Sequence, residues 1–139
     1  MSDSRPFLTE LHIRLKTYDI DFIGHVNNAV YIHWLEDLRL ELLDLYYPLE
    51  DMNAEGFSPF IINTSIHYKQ GIVLDEKYVT GRMWMESLDK ASFHLTAEFL
   101  VNDEVRCTAT QRGAFVDSKK KRIIRIPERM AEQFELGNS

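Results

Sequence analysis

Leu11, Ile13 and Leu15 alternate with His12, Arg14 and Lys16, the period of a half-buried strand. Beyond residue 28 the period lengthens. Val30, Tyr31, Trp34, Leu35, Leu38, Leu42, Leu45 and Tyr46 recur at helical spacing, with Glu36, Asp37, Glu41 and Asp44 between them. This spacing predicts one long helix over about residues 28–46, stopped before Pro48, with Asn27 or Asn28 as its N-cap.

After a loop through Gly56 and Pro59 the period returns to two. Phe60, Ile62, Thr64 and Ile66 mark one strand, and Val79, Gly81, Met83 and Met85 mark the next. Phe93, Leu95, Ala97, Phe99 and Val101 define a third, and Val105, Cys107, Ala109 and Phe115 a fourth. Hairpin-length turns are expected at Ser87-Leu88-Asp89-Lys90 and at Asn102-Asp103. Ile123, Ile124 and Ile126 make a short last strand, and Pro127 opens a short C-terminal helix. The order predicts an α+β fold in which a meander of antiparallel strands curls round one long helix. One helix covers one face of the sheet, so the exposed face and edges call for a second copy.

Composition narrows the class. A chain of 139 residues is expected to form one domain, 1–139. A net charge of -6 offers no phosphate-neutralising face, which excludes a general nucleic-acid binder. The single cysteine, Cys107, rules out an internal disulfide framework and a multi-cysteine zinc site, and it reads as inert core. His12, His67 and His94 have no ligand spacing, so no metal is expected. No run approaches the ~18–20 apolar residues of a membrane span, and the N-terminus has no signal-peptide core. The expectation is a soluble protein of a reducing, cytoplasmic compartment.

The densest polar cluster, from Tyr18 to Asn28, joins the first strand to the helix. Asp and Asn in such a turn can simply cap backbone groups. A second reading rests on position. The first turn of a helix carries free backbone N–H groups and the positive end of the macrodipole, which suit a polarised thioester carbonyl. An aspartate beside it can attack that carbonyl or deprotonate water. Asp19 and Asp21 are two apart, and spacing does not choose between them. His25 can act in acid/base chemistry or orient the loop. Glu36 and Arg39 read as a surface pair on the helix.

Asp19-Ile20-Asp21-Phe22-Ile23-Gly24-His25-Val26-Asn27-Asn28-Ala29-Val30-Tyr31, followed by Trp34-Leu35-Glu36 and Arg39, resembles the hotdog-fold thioesterases, in particular the 4-hydroxybenzoyl-CoA thioesterase branch and its acyl-CoA relatives. The His-Val-Asn-Asn run is also similar to acyl-ACP thioesterases. The resemblance implies a hotdog fold, one long central helix wrapped by a curved antiparallel sheet of five to six strands. It implies hydrolysis of acyl-CoA or acyl-ACP with no cofactor. It assigns Asp21 as the catalytic carboxylate, the Asn28 backbone N–H or a neighbour as oxyanion donor, and Asp19 to a supporting role. His25 joins the catalytic set, while Gly24, Val26, Asn27, Tyr31, Lys90 and Ser92 fall among the substrate contacts.

Asn27 and Asn28 stand where the benzoyl-CoA branch has aromatic residues, which favours an aliphatic acyl group. Lys90, or the run Lys119-Lys120-Lys121-Arg122 at an expected hairpin tip, would meet CoA phosphates or an acidic carrier protein. The resemblance also implies a homodimer or homotetramer with the site at an interface. Alternatives are a hotdog hydratase or dehydratase using His25 and Asp21, and an aryl-CoA thioesterase.

Overall fold

The computed structural model describes residues 5–138. A first strand, β1 (Thr9–Arg14), ends in a 3-10 turn at Thr17–Asp19, and the chain then enters α1 (Asn28–Tyr46). Asn27 is the N-cap: its side-chain oxygen accepts from the Ala29 N–H at 2.9 Å. Of the expected stripe, Tyr31, Trp34, Leu35, Leu38 and Leu42 are buried and Val30 and Tyr46 pack partly buried against them, but Leu45, in the last turn, is exposed.

What was expected as a loop after Pro48 contains a second helix, α2 (Leu49–Glu55). It is seven residues long, too short to show a period. Its end signals are legible: Pro48 before it, Glu50 and Asp51 in its first turn, and Gly56 after it with φ +91°. Pro59 then lies inside β2 (Phe57–Tyr68) rather than in a loop. That strand is an edge, where a missing N–H is tolerated.

Strands β3 (Tyr78–Leu88), β4 (Phe93–Val101) and β5 (Glu104–Asp117) form the expected meander. Asn102 and Asp103, with φ of +50° and +65°, make the tight turn between β4 and β5. The sheet order is β1-β3-β4-β5-β2, with β6 (Ile123–Ile124) also on β5. So β2 does not continue the meander. It crosses over the sheet to pair with β5. The last strand is only two residues, and the C-terminal helix α3 (Glu128–Asn138) is longer than expected.

The face of β2 also departs from the simple alternation. A bulge between Ile61 and Asn63 shifts its phase. Thr64 and Ile66 keep the register of the inner positions, opposite Gln111 and Ala109 of β5. Phe60 and Ile62 are instead partly exposed, at 39% and 38%. The core lies between α1 and the inner sheet face, where Leu35, Leu38, Met83, Phe99 and Cys107 are fully buried. No helix among the described residues is long and apolar enough to cross a membrane.

Candidate active site

Asp21 starts a tight turn whose chemistry explains its spacing. Its carbonyl accepts from the Gly24 N–H at 3.0 Å, and its own N–H donates to the His25 carbonyl at 2.8 Å. Asp suits the first position of such a turn and Gly the fourth, and Gly24 adopts φ +86°, a conformation glycine reaches without a Cβ clash. Asp21 Oδ1 accepts from the N–H of Ile23 at 3.1 Å and of His25 at 3.2 Å. Its Oδ2 has no hydrogen bond among the described residues. One oxygen holds the turn and the other is left over.

Asp19 does a different job. It is buried, its Oδ2 accepts from the Lys16 N–H at 2.9 Å, and its carbonyl accepts from the Asn27 N–H at 2.9 Å. The two aspartates that spacing could not separate thus differ in burial and bonding.

At the start of α1, the Ala29 N–H is capped by the Asn27 side chain and the Val30 N–H donates to the Asn27 carbonyl. The Asn28 N–H has no partner among the described residues. It sits at the positive end of a 19-residue helix. Asn28 and Asp21 share one hollow of about 390 Å³ with His25, Val26, Asn27 and Tyr31. Gly24 shapes the turn but does not line the hollow.

The remaining wall was not visible in the sequence. Tyr68, at the end of β2, donates through its hydroxyl to the Asn28 carbonyl at 3.3 Å, and Gln70 and Gly71 follow it. Tyr31 meets Tyr68 edge-on, with ring centroids 5.2 Å apart. Burial holds the Tyr31 phenol well above its ordinary value, so it stays a neutral O–H. Gly71 lies against the imidazole of His25: a Cβ there would be 2.8 Å from Nδ1.

Lys90 and Ser92 are not brought to this hollow within one chain. They belong to the turn between β3 and β4, where Ser92 is buried and its hydroxyl donates to Asp89 at 2.8 Å. From Tyr68 back to Ile61, level with that turn, is about 20 Å along β2. Lys119–Arg122 form the exposed tip between β5 and β6, as expected, farther still from Asp21.

A second, apolar cavity of about 300 Å³ opens between the later turns of α1 and the start of β2, lined by Leu40, Leu43, Phe60, Met85 and Phe115 among others. Arg39 borders it. It is not simply the exposed partner of Glu36. It is half-buried and donates through Nη1 to Gln111 Oε1 at 3.0 Å, and Gln111 Nε2 donates to Thr64 at 3.0 Å. Desolvation lowers the Arg39 pKa, although Glu36 opposes the shift. Cys107 is wholly buried, and desolvation pushes its thiol up to about 12. Among the described residues no three His, Cys, Asp or Glu side chains converge on a metal-sized site.

Residues 15–134 match the family described as the thioesterase-like superfamily. The long-chain acyl-CoA thioesterase FadM of Escherichia coli (strain K12) is 25% identical over 128 residues, covering 91% of this chain and 96% of the relative. Among solved structures, the DHNA-CoA thioesterase from Staphylococcus aureus superposes with a TM-score of 0.81 at 18% identity, covering 94% of this chain and 93% of its own. A thioesterase from Thermus thermophilus, complexed with coenzyme A and Zn, also gives 0.81, at 19% identity, covering 98% of this chain and 96% of its own. These structures share the hotdog fold expected for this chain.

Proposed function

The chain belongs to the thioesterase-like superfamily and is a thioester hydrolase, and from that premise we propose that it cleaves aliphatic acyl-CoA to the free acid and CoA, with Asp21 as the acting carboxylate. The observation that carries this is the shared hollow: Asn28 and Asp21 line the same space, and among the described residues the Asn28 N–H and Asp21 Oδ2 have no hydrogen-bond partner. A thioester carbonyl oxygen accepting from the Asn28 N–H gains a donor aligned with the helix dipole as charge builds on it. Asp21 then acts on the carbonyl carbon, directly or through a water it deprotonates. The C–S bond breaks, water supplies the hydroxyl of the acid, and the proton that Asp21 takes from that water passes to the departing thiolate, which leaves as CoA.

His25 and Tyr31 flank the reacting group, and Val26 and Asn27 shape the wall beside it. The apolar cavity begins at Glu36, eight residues along α1 from Asn28, or about 12 Å of helix. Its aliphatic and aromatic walls suit a hydrocarbon tail. The name of the E. coli relative favours CoA over a carrier protein and a long chain over an aryl group.

Residues 1–139 act as one hotdog domain in a homodimer or homotetramer, in the cytoplasm. Strand β2 supports the assembly. It is a 12-residue edge whose outer side is unpaired among the described residues, with Phe60 and Ile62 partly exposed on it. Phe22, fully exposed next to Asp21, is a further apolar surface that a second copy would cover. A copy docked on this edge is also a means of bringing Lys90 or Lys119–Arg122 to the far protomer's site. A thiol-release screen across acetyl- to palmitoyl-CoA, matched acyl-carrier-protein substrates and benzoyl-CoA tests the reading. It expects the highest kcat/KM among the longer acyl-CoA esters. Preference for benzoyl-CoA would contradict it.

A further inference from the structure

Arg106 is far from Asp21 in sequence and is absent from the hollow's lining. It is nevertheless one of the few buried charged residues, at 8% exposure. Its place in β5 is unusual. Phe99 pairs with Cys107 while Leu100 pairs with Val105, so Arg106 is the extra residue of a β-bulge. A bulge re-aims its side chain out of the normal alternation. Here it aims the guanidinium at residues 69–76, the connection from β2 to β3.

The contacts converge on that connection. Arg106 Nη1 donates to the Gly71 carbonyl at 2.9 Å and to Glu76 Oε1 at 3.0 Å, and Nη2 donates to Glu76 Oε2 at 2.6 Å. Nε donates to Glu104. The Arg106 carbonyl accepts from the N–H groups of both Lys69 and Gln70. Glu76 Oε1 also accepts from the Val73 N–H at 3.1 Å. Both ends of the connection are therefore tied to one residue.

The connection in turn holds the catalytic loop. The Val26 N–H donates to the Ile72 carbonyl at 2.8 Å, Val73 bridges to His25, and Gly71 backs the His25 ring. His25 is the residue whose backbone closes on Asp21, and Val26 is two residues from Asn28. A buried ion pair adds little net stability over apolar residues of the same shape, so stability alone is a weak reason for this arrangement. A planar fork with several acceptors at fixed angles is instead a device for fixing geometry.

We propose that Arg106 is a positioning residue: through Gly71 and Glu76 it sets where the Asp21 carboxylate and the Asn28 N–H stand relative to each other. The proposal rests on the reading of that pair as the acting groups. Displacing such groups weakens interactions made in the transition state more than those that bind substrate, so kcat bears the loss.

The test uses the full chain and dodecanoyl-CoA, with kcat and KM per folded protein and thermal unfolding measured in parallel. Arg106→Lys keeps the charge and loses the fork. It is expected to fold, to lose roughly 10- to 100-fold in kcat, and to keep KM within about threefold. Glu76→Gln is expected to show the same split, and the double variant is expected to be no slower than Arg106→Lys alone. A kcat near the parent's with only a lower melting temperature, or a loss wholly in KM, would overturn the proposal. If Arg106→Lys does not fold, Glu76→Gln decides by the same criteria. Asp21→Asn is run beside them. Parental turnover in that variant removes the reading of the acting pair and this proposal with it. A dead Asp21→Asn beside a fully active Arg106→Lys overturns the Arg106 role alone.

Discussion

Asp21 and His25 close on each other twice: the Asp21 N–H donates to the His25 carbonyl at 2.8 Å, and the His25 N–H donates to Asp21 Oδ1 at 3.2 Å. The two bonds fix the carboxylate through backbone rather than through a mobile side chain. With Asp21 as the proposed acting carboxylate, its geometry is thereby tied to the path of residues 21–25. Preorganisation of this kind is what lets an acid act without first being ordered.

Asp19 holds the entry to the same segment, and its loss is expected to be felt in stability. Asp19→Ala leaves the Lys16 N–H without its acceptor in a part-buried setting. The cost is about 1–2 kcal/mol, or roughly 3–8 °C in melting temperature. A thermal unfolding curve checks it. Turnover per folded molecule is expected to fall far less than for Asp21→Asn.

Gly71→Ala probes the His25 ring without disturbing backbone angles. Residue 71 does not need a positive φ, so alanine is conformationally allowed, but its Cβ would lie 2.8 Å from His25 Nδ1. The imidazole must swing away. A fall in kcat of about 10-fold or more with little change in melting temperature is the expected outcome. Unchanged kinetics would mean that the seating of His25 is irrelevant to turnover.

The acid sensitivity of the fold has one identifiable contributor. Hydrogen bonding from Arg106 holds the Glu76 carboxyl below its ordinary value, against the opposing effect of burial. The folded value lies under the unfolded one, about 4.3. The pair's stabilisation is therefore complete above that pH and is lost as pH falls through the folded value. Melting temperatures measured from pH 6 down to pH 3 are expected to drop less steeply in Glu76→Gln than in the parent.

Filling the apolar cavity should sort substrates by length. Leu43 lines it and is only partly buried, so Leu43→Trp adds bulk without opening the core. Each methylene seated there is worth about fourfold in kcat/KM. The variant is expected to lose that increment for dodecanoyl- and palmitoyl-CoA while butyryl-CoA is hydrolysed as before. Equal losses at every length would place the tail elsewhere.

The sequence reported this molecule unevenly, for physical reasons. Long periodic elements were legible: α1, its Asn27 cap, and the strands from Val79 to Val101 stand where the spacing put them. Helix α2 was not, because seven residues complete only two turns and its signals were all at its ends. The inward face of β2 was half legible, since a bulge reverses alternation without any local mark. In the site, Asp21, His25 and Asn28 come from one continuous run and are brought together. Tyr68, Gln70 and Gly71 join them only because β2 crosses to β5, a pairing that local patterns do not encode. Arg106 was invisible for the same reason: its role depends on a bulge and on a loop 30 residues away.

The most direct test of the central claim is the turnover of Asp21→Asn on dodecanoyl-CoA, followed by release of free CoA, with circular dichroism showing an unchanged fold. Asparagine keeps the side-chain oxygen that holds the Ile23 and His25 N–H groups, so the turn survives while the carboxylate proposed to act is gone. The account expects kcat to fall by about 100-fold or more. A folded Asp21→Asn protein that releases CoA at the parental rate would contradict it.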